Sequence, residues 1–357
     1  MDSTQSGKSR RRRTVPARRS ARGAAWSITF FLLAVALLVA IVGTLQMMAP
    51  MSGDKNLRPV LVTIPRGSNV HEIGALLARK HLIRQPLSFV LGARLEGVSG
   101  KMRAGHYELS PAMPPRQMAA LIAMGETATD VVTVPEGFTV VQIARRLAEK
   151  RMVNEAAFLS LAQTQGTTFH AASFQPPTDN LEGYLFPDTY RFPKGMTERE
   201  IITQMLDNFA KRVVQPHQTE IAAYPGGLPA LINLASLVER EAEVDKDRPL
   251  IAAALQNRLK IGMRLQCDAT IQYALPEHKS RLHYADLRVD SPYNSYTHAG
   301  LPPTPIANPG LPSIEAALHP AAADYLFYVA RPDGSHIFSR TLAEHDRAIA
   351  ELRGARG

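Results

Sequence analysis

The chain has 357 residues, a single cysteine and a formal charge of +9. One thiol excludes an internal disulfide, and the length allows more than one packed core. The charge is concentrated: Lys8, Arg10, Arg11, Arg12, Arg13, Arg18, Arg19 and Arg22 stand against Asp2 in residues 1–24, a net +7 that leaves only +2 for the rest and excludes a nucleic-acid footprint on the body of the chain.

Behind that tail, Ala24 to Ser52 carries no charge. Trp26–Met48 exceeds the roughly 20 apolar residues a bilayer-crossing helix needs, and it is too long for a signal-peptide core of about 7–15 residues. The sequence therefore predicts an uncleaved single-span helix at 25–48. The basic tail (1–24) is expected on the cytoplasmic side and everything after a short linker (49–60) on the other.

An internal repeat follows at an offset of 70 residues. Val62-Thr63-Ile64-Pro65-Arg66-Gly67 and Val132-Thr133-Val134-Pro135-Glu136-Gly137 each open a unit with an alternating strand, a Pro-x-Gly turn and an amphipathic helix. Apolar residues recur at helical spacing as Val70, Ile73, Leu76 and Leu77 in the first copy, and as Val140, Ile143, Ala144 and Leu147 in the second. Two copies are too few for a solenoid, so duplicated small α+β modules are expected. Helices are predicted near Leu87–Leu95 and Pro115–Met124, with a strand at Ala104–Leu109 between them. This first module, 61–127, resembles the LysM-like fold.

From Asn154 helices and loops alternate. Leu181–Tyr190 is aromatic and turn-rich. Helices are predicted at 197–216, 227–243 and 249–261, the last with Pro249 in its first turn, Asp245 or Asp247 as cap and Gly262 at its end. A loop-dominated stretch then runs to a helix at Ser313–Leu318. A strand pair, Tyr325–Ala330 and His336–Ser339, and a helix at 342–352 close the chain. The fold class is thus α+β: a transmembrane helix, a LysM-like module, and a mixed α/β domain at 128–353 that opens with the second repeat.

His-Glu-x-x-His, Gly-x-Ser-x-Gly and phosphate-cradling loops are absent, so no metal and no cofactor are expected. Cys267 reads as a small buried hydrophobe. In the helix around Leu231–Glu241, Leu231, Leu234, Ala235, Val238 and Ala242 form an apolar stripe. Glu239 falls on its flank beside Ile232 and Ala235, where apolar neighbours would favour the protonated acid. Glu241 sits on the opposite flank as the rival acid. Downstream, amide, hydroxyl and aromatic side chains on Pro-stiffened loops suit a sugar-binding cleft, and equally suit structural turns.

The strings L-E-G-Y-L-F-P-D-T-Y (181–190), L-A-S-L-V-E-R-E (234–241), N-R-L-K-I-G-M-R-L-Q-C-D-A-T-I-Q-Y (257–273), S-P-Y-N-S-Y (291–296) and G-L-P-P-T-P-I-A-N-P-G (300–310), with the closing H-I-F-S-R-T-L-A-E-H (336–345), resemble the endolytic murein transglycosylase (YceG-like) family. Ser295, Thr304, Cys267 and Ala269 depart from the pattern. The resemblance implies a lyase that cuts the β-1,4 bond between N-acetylmuramic acid and N-acetylglucosamine inside peptidoglycan strands, leaving 1,6-anhydro ends. It implies Glu239 as the catalytic carboxylate, and an anchor in the cell inner membrane with the catalytic domain in the periplasm. Peptidoglycan glycan and the bilayer are the partners it implies, with peptidoglycan synthases or divisome proteins as further ones. Asn257, Gln266, Asp268, Thr270, Tyr293 and Asn294 are candidates for the cleft wall, each also fitting a structural hydrogen-bonding role. Glu182 and Asp188 are candidates for orienting substrate, Asp188 equally for capping a loop. Two other readings stay open: a hydrolytic muramidase using a second carboxylate such as Asp268, and a non-catalytic anchor that binds cell-wall glycan.

Overall fold

A computed structural model describes residues 21–54, 56–125, 127–171 and 174–354. The basic tail lies outside the described residues as far as residue 20. The chain divides into two compact units, Met1–Ala128 and Thr129–Gly357.

In the first unit, α1 (Ala21–Met48) has 28 residues, about 42 Å at 1.5 Å per residue, against a hydrocarbon core of about 30 Å. Its stretch Thr29–Met48 is long and apolar enough to cross a membrane, and Phe30, Phe31, Leu32, Leu33, Leu37 and Leu38 are exposed along it. The Thr44 hydroxyl donates to the Ala40 carbonyl at 2.8 Å, which satisfies a polar group inside the apolar run.

The body of that unit runs β1 (Val60–Ile64), α2 (Val70–Arg79), α3 (Pro86–Leu95), β2 (Gly105–Leu109) and α4 (Pro115–Met124). β1 and β2 are antiparallel, with Val62 opposite Tyr107. The apolar periodicity explains the packing: Val62, Ile64, Ile73, Leu77, Phe89, Tyr107, Leu109, Met118 and Ile122 form one buried cluster. The Tyr107 hydroxyl is satisfied inside it by the Arg103 carbonyl at 2.9 Å.

The second unit begins with the same arrangement: β3 (Thr129–Thr133), α5 (Val140–Glu149), α6 (Glu155–Thr164) and β4 (Thr189–Pro193). β3 pairs antiparallel with β4, Val132 opposite Tyr190. The repeat is therefore deeper than the strand–turn–helix read from sequence, since each copy is strand–helix–helix–strand. The tyrosines match as well, because the Tyr190 hydroxyl donates to the carbonyl four residues earlier, Phe186, at 2.5 Å. β4 had no predicted counterpart; it lies inside and just after the turn-rich aromatic stretch.

The remainder is helical. α7 (Glu198–Phe209) passes into a π-helical turn at Ala210–Val214, then α8 (Gln218–Ala223), α9 (Gly227–Glu241), α10 (Arg248–Lys260), α11 (Asp268–Ala274) and α12 (Leu311–Leu318). β5 (Phe327–Ala330) and β6 (His336–Ser339) form a third antiparallel pair before α13 (Leu342–Gly354). The helix expected at 197–216 is thus continuous through its π turn, with helical backbone as far as Gln215, and α11 falls in a stretch expected to be loop-dominated. α9 buries every residue from Leu231 to Val238, including Asn233 and Ser236. Asn233 Nδ2 donates to the Pro302 carbonyl at 2.6 Å, and Ser236 Oγ accepts from the Ile306 N–H at 3.1 Å. These two polar residues in an apolar helix fasten the 300–310 loop along it.

Candidate active site

The α9 helix leaves the core after Val238, and Glu239 is the next residue. Its side chain is only 7% exposed. The Gly310 N–H (3.0 Å), the Ser313 hydroxyl (2.7 Å) and Arg248 Nη1 (3.3 Å) all donate to Oε2. Oε1 has no protein partner among the described residues. The surroundings thus differ from the apolar wall expected on the helix flank: an arginine, a hydroxyl and a backbone amide at the start of α12 meet the carboxylate. Such donors hold one oxygen rigidly.

Arg248 opens α10 and is buried. Its Nε donates to Asp245 Oδ1 at 3.1 Å, and its Nη1 also donates to the Ser313 hydroxyl. Asp247 takes the N-cap position of α10, as one of the two expected candidates, but its side chain makes no capping bond. Asp245 instead serves Arg248, while Asp247, buried, accepts from the His336 N–H at 2.7 Å, tying α10 to β6.

The Pro-Glu-Gly turn of the second repeat closes over the same point. A Cβ built on Gly137 would lie 3.5 Å from Glu239 Cγ, and one built on Gly310 would lie 2.1 Å from the carboxyl carbon of Glu136. Glu136 and Glu239 therefore meet the two sides of Gly310. Partial enclosure first, and the charge of Glu239 second, push the Glu136 carboxyl above the ordinary glutamate range, with Arg248 opposing.

Asn308 registers this turn. It is fully buried, and its Oδ1 accepts from the N–H groups of Gly183 (3.0 Å) and Leu185 (2.9 Å). Its Nδ2 donates to the Phe138 carbonyl and to Glu182 Oε1, both at 2.9 Å, and its carbonyl accepts from the Gly137 N–H. Glu182 takes the Val140 N–H on both oxygens at 3.0 and 3.1 Å and the Tyr273 hydroxyl at 3.3 Å. Burial pushes its carboxyl up to about 8. Glu182 is thus an internal brace. Asp188 accepts from Asn208 Nδ2 at 2.9 Å.

The other sequence candidates lie as follows. Gln266, exposed at φ 50°, has its N–H on the Ser295 carbonyl. The Thr270 hydroxyl meets Ser295 Oγ at 2.8 Å, and Asp268 accepts from the Tyr296 hydroxyl at 2.5 Å. Segments 266–270 and 293–296 are therefore brought together. Tyr293 bonds Thr304 Oγ1 at 2.8 Å and packs its ring on Tyr273. Asn294 Nδ2 is taken by the Leu287 and Val289 carbonyls, and Asn257 Nδ2 by those of Ala323 and Tyr325, so neither amide meets Glu239. Glu241 accepts from the Tyr328 hydroxyl at 3.3 Å. Burial, the largest influence, pushes it up to about 7, with the Ala269 N–H lowering it and Asp268 raising it. Cys267 is buried, and burial raises its thiol.

A cavity of about 400 Å³ opens beside Arg240, walled by Thr139, Gln142, Gln272, Tyr273 and His278 among others; Glu239 is not one of its walls. Among the described residues no group of three or more His, Cys, Asp or Glu is placed to hold a metal ion. Sequence reasoning missed Glu136, Arg248, Asn308, Gly310 and Ser313. The signals were present only as a Pro-Glu-Gly turn read as structural and an Asn-Pro-Gly loop read as part of the cleft frame.

A model of the YceG-like family matches residues 62–351. An endolytic murein transglycosylase of Bacillus subtilis (strain 168) is 35% identical over 301 residues, covering 81% of this chain and 83% of that protein. One of Streptococcus pneumoniae (serotype 2, strain D39) is 32% identical over 321 residues, 82% of this chain but 58% of that longer protein. The crystal structure of a YceG-like protein from Listeria monocytogenes aligns with a TM-score of 0.55 at 35% identity, covering 81% of this chain and 98% of that one. The match extends through both repeats and the helices that carry Glu239, and the chain belongs to the YceG-like family.

Proposed function

We propose that this chain is a membrane-anchored endolytic peptidoglycan lytic transglycosylase with Glu239 as its acid and base. The observation that carries the reading is the asymmetry of Glu239: Oε2 is held by Gly310, Ser313 and Arg248, while Oε1 has no partner among the described residues. Protonated at Oε1, Glu239 gives its proton to the glycosidic oxygen as the bond from muramic acid C1 to that oxygen breaks. The muramic acid C6 hydroxyl then bonds to C1, and its proton returns to Glu239. Water takes no part, the end left is a 1,6-anhydro sugar, and one carboxylate can serve both transfers.

Helix α1 supports a single span in the inner membrane, with the tail inside and residues 61–353 in the periplasm, close to nascent strands whose length the cuts would limit. The strand–helix–helix–strand order supports reading 61–127 as LysM-like and 128–353 as the catalytic domain. Gln266, Asp268 and Tyr293 are the cleft candidates that the reading keeps foremost. Thr270, Asn257 and Asn294 would act by bracing loops. Peptidoglycan synthases or divisome proteins are the partners such an enzyme would work beside.

Glu136 beside Glu239 favours one second reading, a hydrolytic muramidase, since two carboxylates flank the scissile bond in most glycosidases. Asp268, the sequence candidate for that role, is instead coupled to Glu241 and Tyr296. Mass spectrometry of the glycan products made by the full chain in detergent decides. Products lighter by one water than hydrolysis fragments, absent with Glu239→Gln, are expected. Reducing ends would replace the mechanism by hydrolysis. An active Glu239→Gln would remove Glu239 from its role, and binding without cleavage would make the chain a glycan anchor.

A further inference from the structure

We infer that the cavity beside Arg240 takes a carboxylate on the C3 branch of muramic acid, with Arg240 as its cation, and so sets which sugar of the strand meets Glu239. This rests on reading the chain as a peptidoglycan-cleaving enzyme that works at Glu239.

The first ground is the state of Arg240. Of the arginines on α9 and α10, Arg248 is spent on Glu239, Asp245 and Ser313, and Arg258 on the carbonyls of Leu265 and Leu326. Among the described residues Arg240 has one hydrogen bond, to the Gly137 carbonyl at 3.4 Å. The acids nearest it in sequence are engaged elsewhere. Glu239 meets Arg248, Glu241 takes the Tyr328 hydroxyl, and Glu243 lies against Gly334, where a Cβ would stand 2.6 Å from its Oε2. A guanidinium left without a carboxylate is suited to bind one from a ligand, in a planar fork of two donors.

The cavity supplies the second ground. It holds about 400 Å³, the size of a small-ligand site. Val141, Leu275, Pro276 and Ile306 give it an apolar side, Arg240 and His278 are its basic groups, and no aspartate or glutamate among the described residues lines it.

Its position is the third. The place a Cβ on Gly137 would occupy is 3.5 Å from Glu239 Cγ and 3.8 Å from Arg240 Nη1, and glycine puts no side chain between the two. A sugar whose C1 meets Glu239 carries its C3 substituent on the same ring. On N-acetylglucosamine that substituent is a hydroxyl. On muramic acid it is a lactyl ether, which brings a methyl group for the apolar side and a carboxylate for Arg240. That carboxylate is the lactyl group's own on a bare strand, and belongs to the acidic peptide on a stem-bearing one.

The test compares kcat/KM of the full chain in detergent on three substrates: uncrosslinked stem-bearing strands, the same strands with their carboxylates converted to methylamides, and strands stripped of stems by an amidase. Arg240→Gln should lower kcat/KM about tenfold on the stem-bearing strands, mostly through KM, and amidation should cost the wild type a similar factor. The two losses should not add, so that variant and wild type cleave amidated strands alike. Arg240→Lys should recover part of the loss. On stripped strands, a persisting loss by Arg240→Gln assigns the lactyl carboxylate to the cavity, and its disappearance assigns the carboxylate of the stem. A loss that is equal on stem-bearing and amidated strands, or no loss on stem-bearing ones, overturns the inference. Failure of the enzymatic reading shows separately, as stem-bearing strands left uncut by the wild type.

Discussion

Removing the side chain of Asn308 should loosen the site more than any single change at its surface. Asn308→Ala deletes four hydrogen bonds, three of them buried (to Gly183, Leu185 and Glu182) and one half-buried (to Phe138). At a net of roughly 1 kcal/mol each, with two backbone N–H groups left unpaired in the interior, the loss comes to about 4 kcal/mol. For a domain of this size that lowers Tm by roughly 10 °C. Thermal unfolding of the full chain in detergent, followed by circular dichroism, measures it. Activity should fall further than stability accounts for, because the Glu136 turn keeps only its two backbone bonds to Asn308 and loses the side-chain bond to Phe138, while Glu239 keeps its own donors. Asn308→Asp refines the test: it retains the Oδ1 acceptor but sets an oxygen against Glu182. Below about pH 8 Glu182 carries a proton and can donate to that oxygen, so Asp should be tolerated better at pH 6 than at pH 9. A drop of less than about 3 °C for Asn308→Ala, under roughly 1 kcal/mol, would refute the claim that this side chain holds the turn in register.

Three further outcomes are expected. Glu182 is pushed from 4.5 up to about 8 and Glu241 up to about 7. The folded state therefore binds more protons than the unfolded one above pH 4.5, and stability should be greatest at or below that pH and fall as pH rises through 7 and 8. Denaturant titrations between pH 5 and 9 should show this slope, Glu182→Gln flattening its upper part and Glu241→Gln its lower. Glu239→Gln should fold with a Tm within about 2 °C of wild type, since the amide oxygen can still accept from Gly310 and Ser313; a collapse in circular dichroism would show a structural cap instead of a chemical group. Cys267 should resist a thiol reagent in the folded chain and react once the chain is denatured, as its burial and raised thiol require; rapid labelling of the native protein would contradict the buried placement.

Where apolar spacing persisted over several turns, the sequence was read correctly: both repeat helices, Pro115–Met124, α9, α10 and the closing strand pair fall where periodicity and Pro–Gly punctuation put them. Short elements escaped. α11 has seven residues and no side-chain cap, too little for a helical period to emerge. β4 has only Tyr190 and Phe192 facing inward, an alternation hidden among neighbouring aromatics. The candidate site was legible in part for the same physical reason. Glu239 could be placed on its helix, but the groups that meet it come from α10, the start of α12 and a turn about a hundred residues upstream. A helical wheel reports a helix's own faces and says nothing of partners brought in by tertiary packing, which is why an apolar flank was expected and an arginine, a hydroxyl and an amide were found.

The duplication explains how such a site can be built without destabilising the fold. The Pro-x-Gly turn is carried by its glycine, its capping box and the strand before it, all of which recur in a copy that bears Arg66. Its middle residue is thereby free of folding duty in both copies. Asn308 then ties the second turn to the loop leading into α12, and α12 presents the amide and hydroxyl that hold Glu239. Rigid, buried polar braces thus surround Glu239, the proposed acid, whose own Oε2 ties α9 to α10 and to the start of α12. The proposed chemistry of Glu239 and the fastening of α9 to α12 thus share one carboxylate, so a substitution that keeps its shape, such as Glu239→Gln, should change rate before it changes stability.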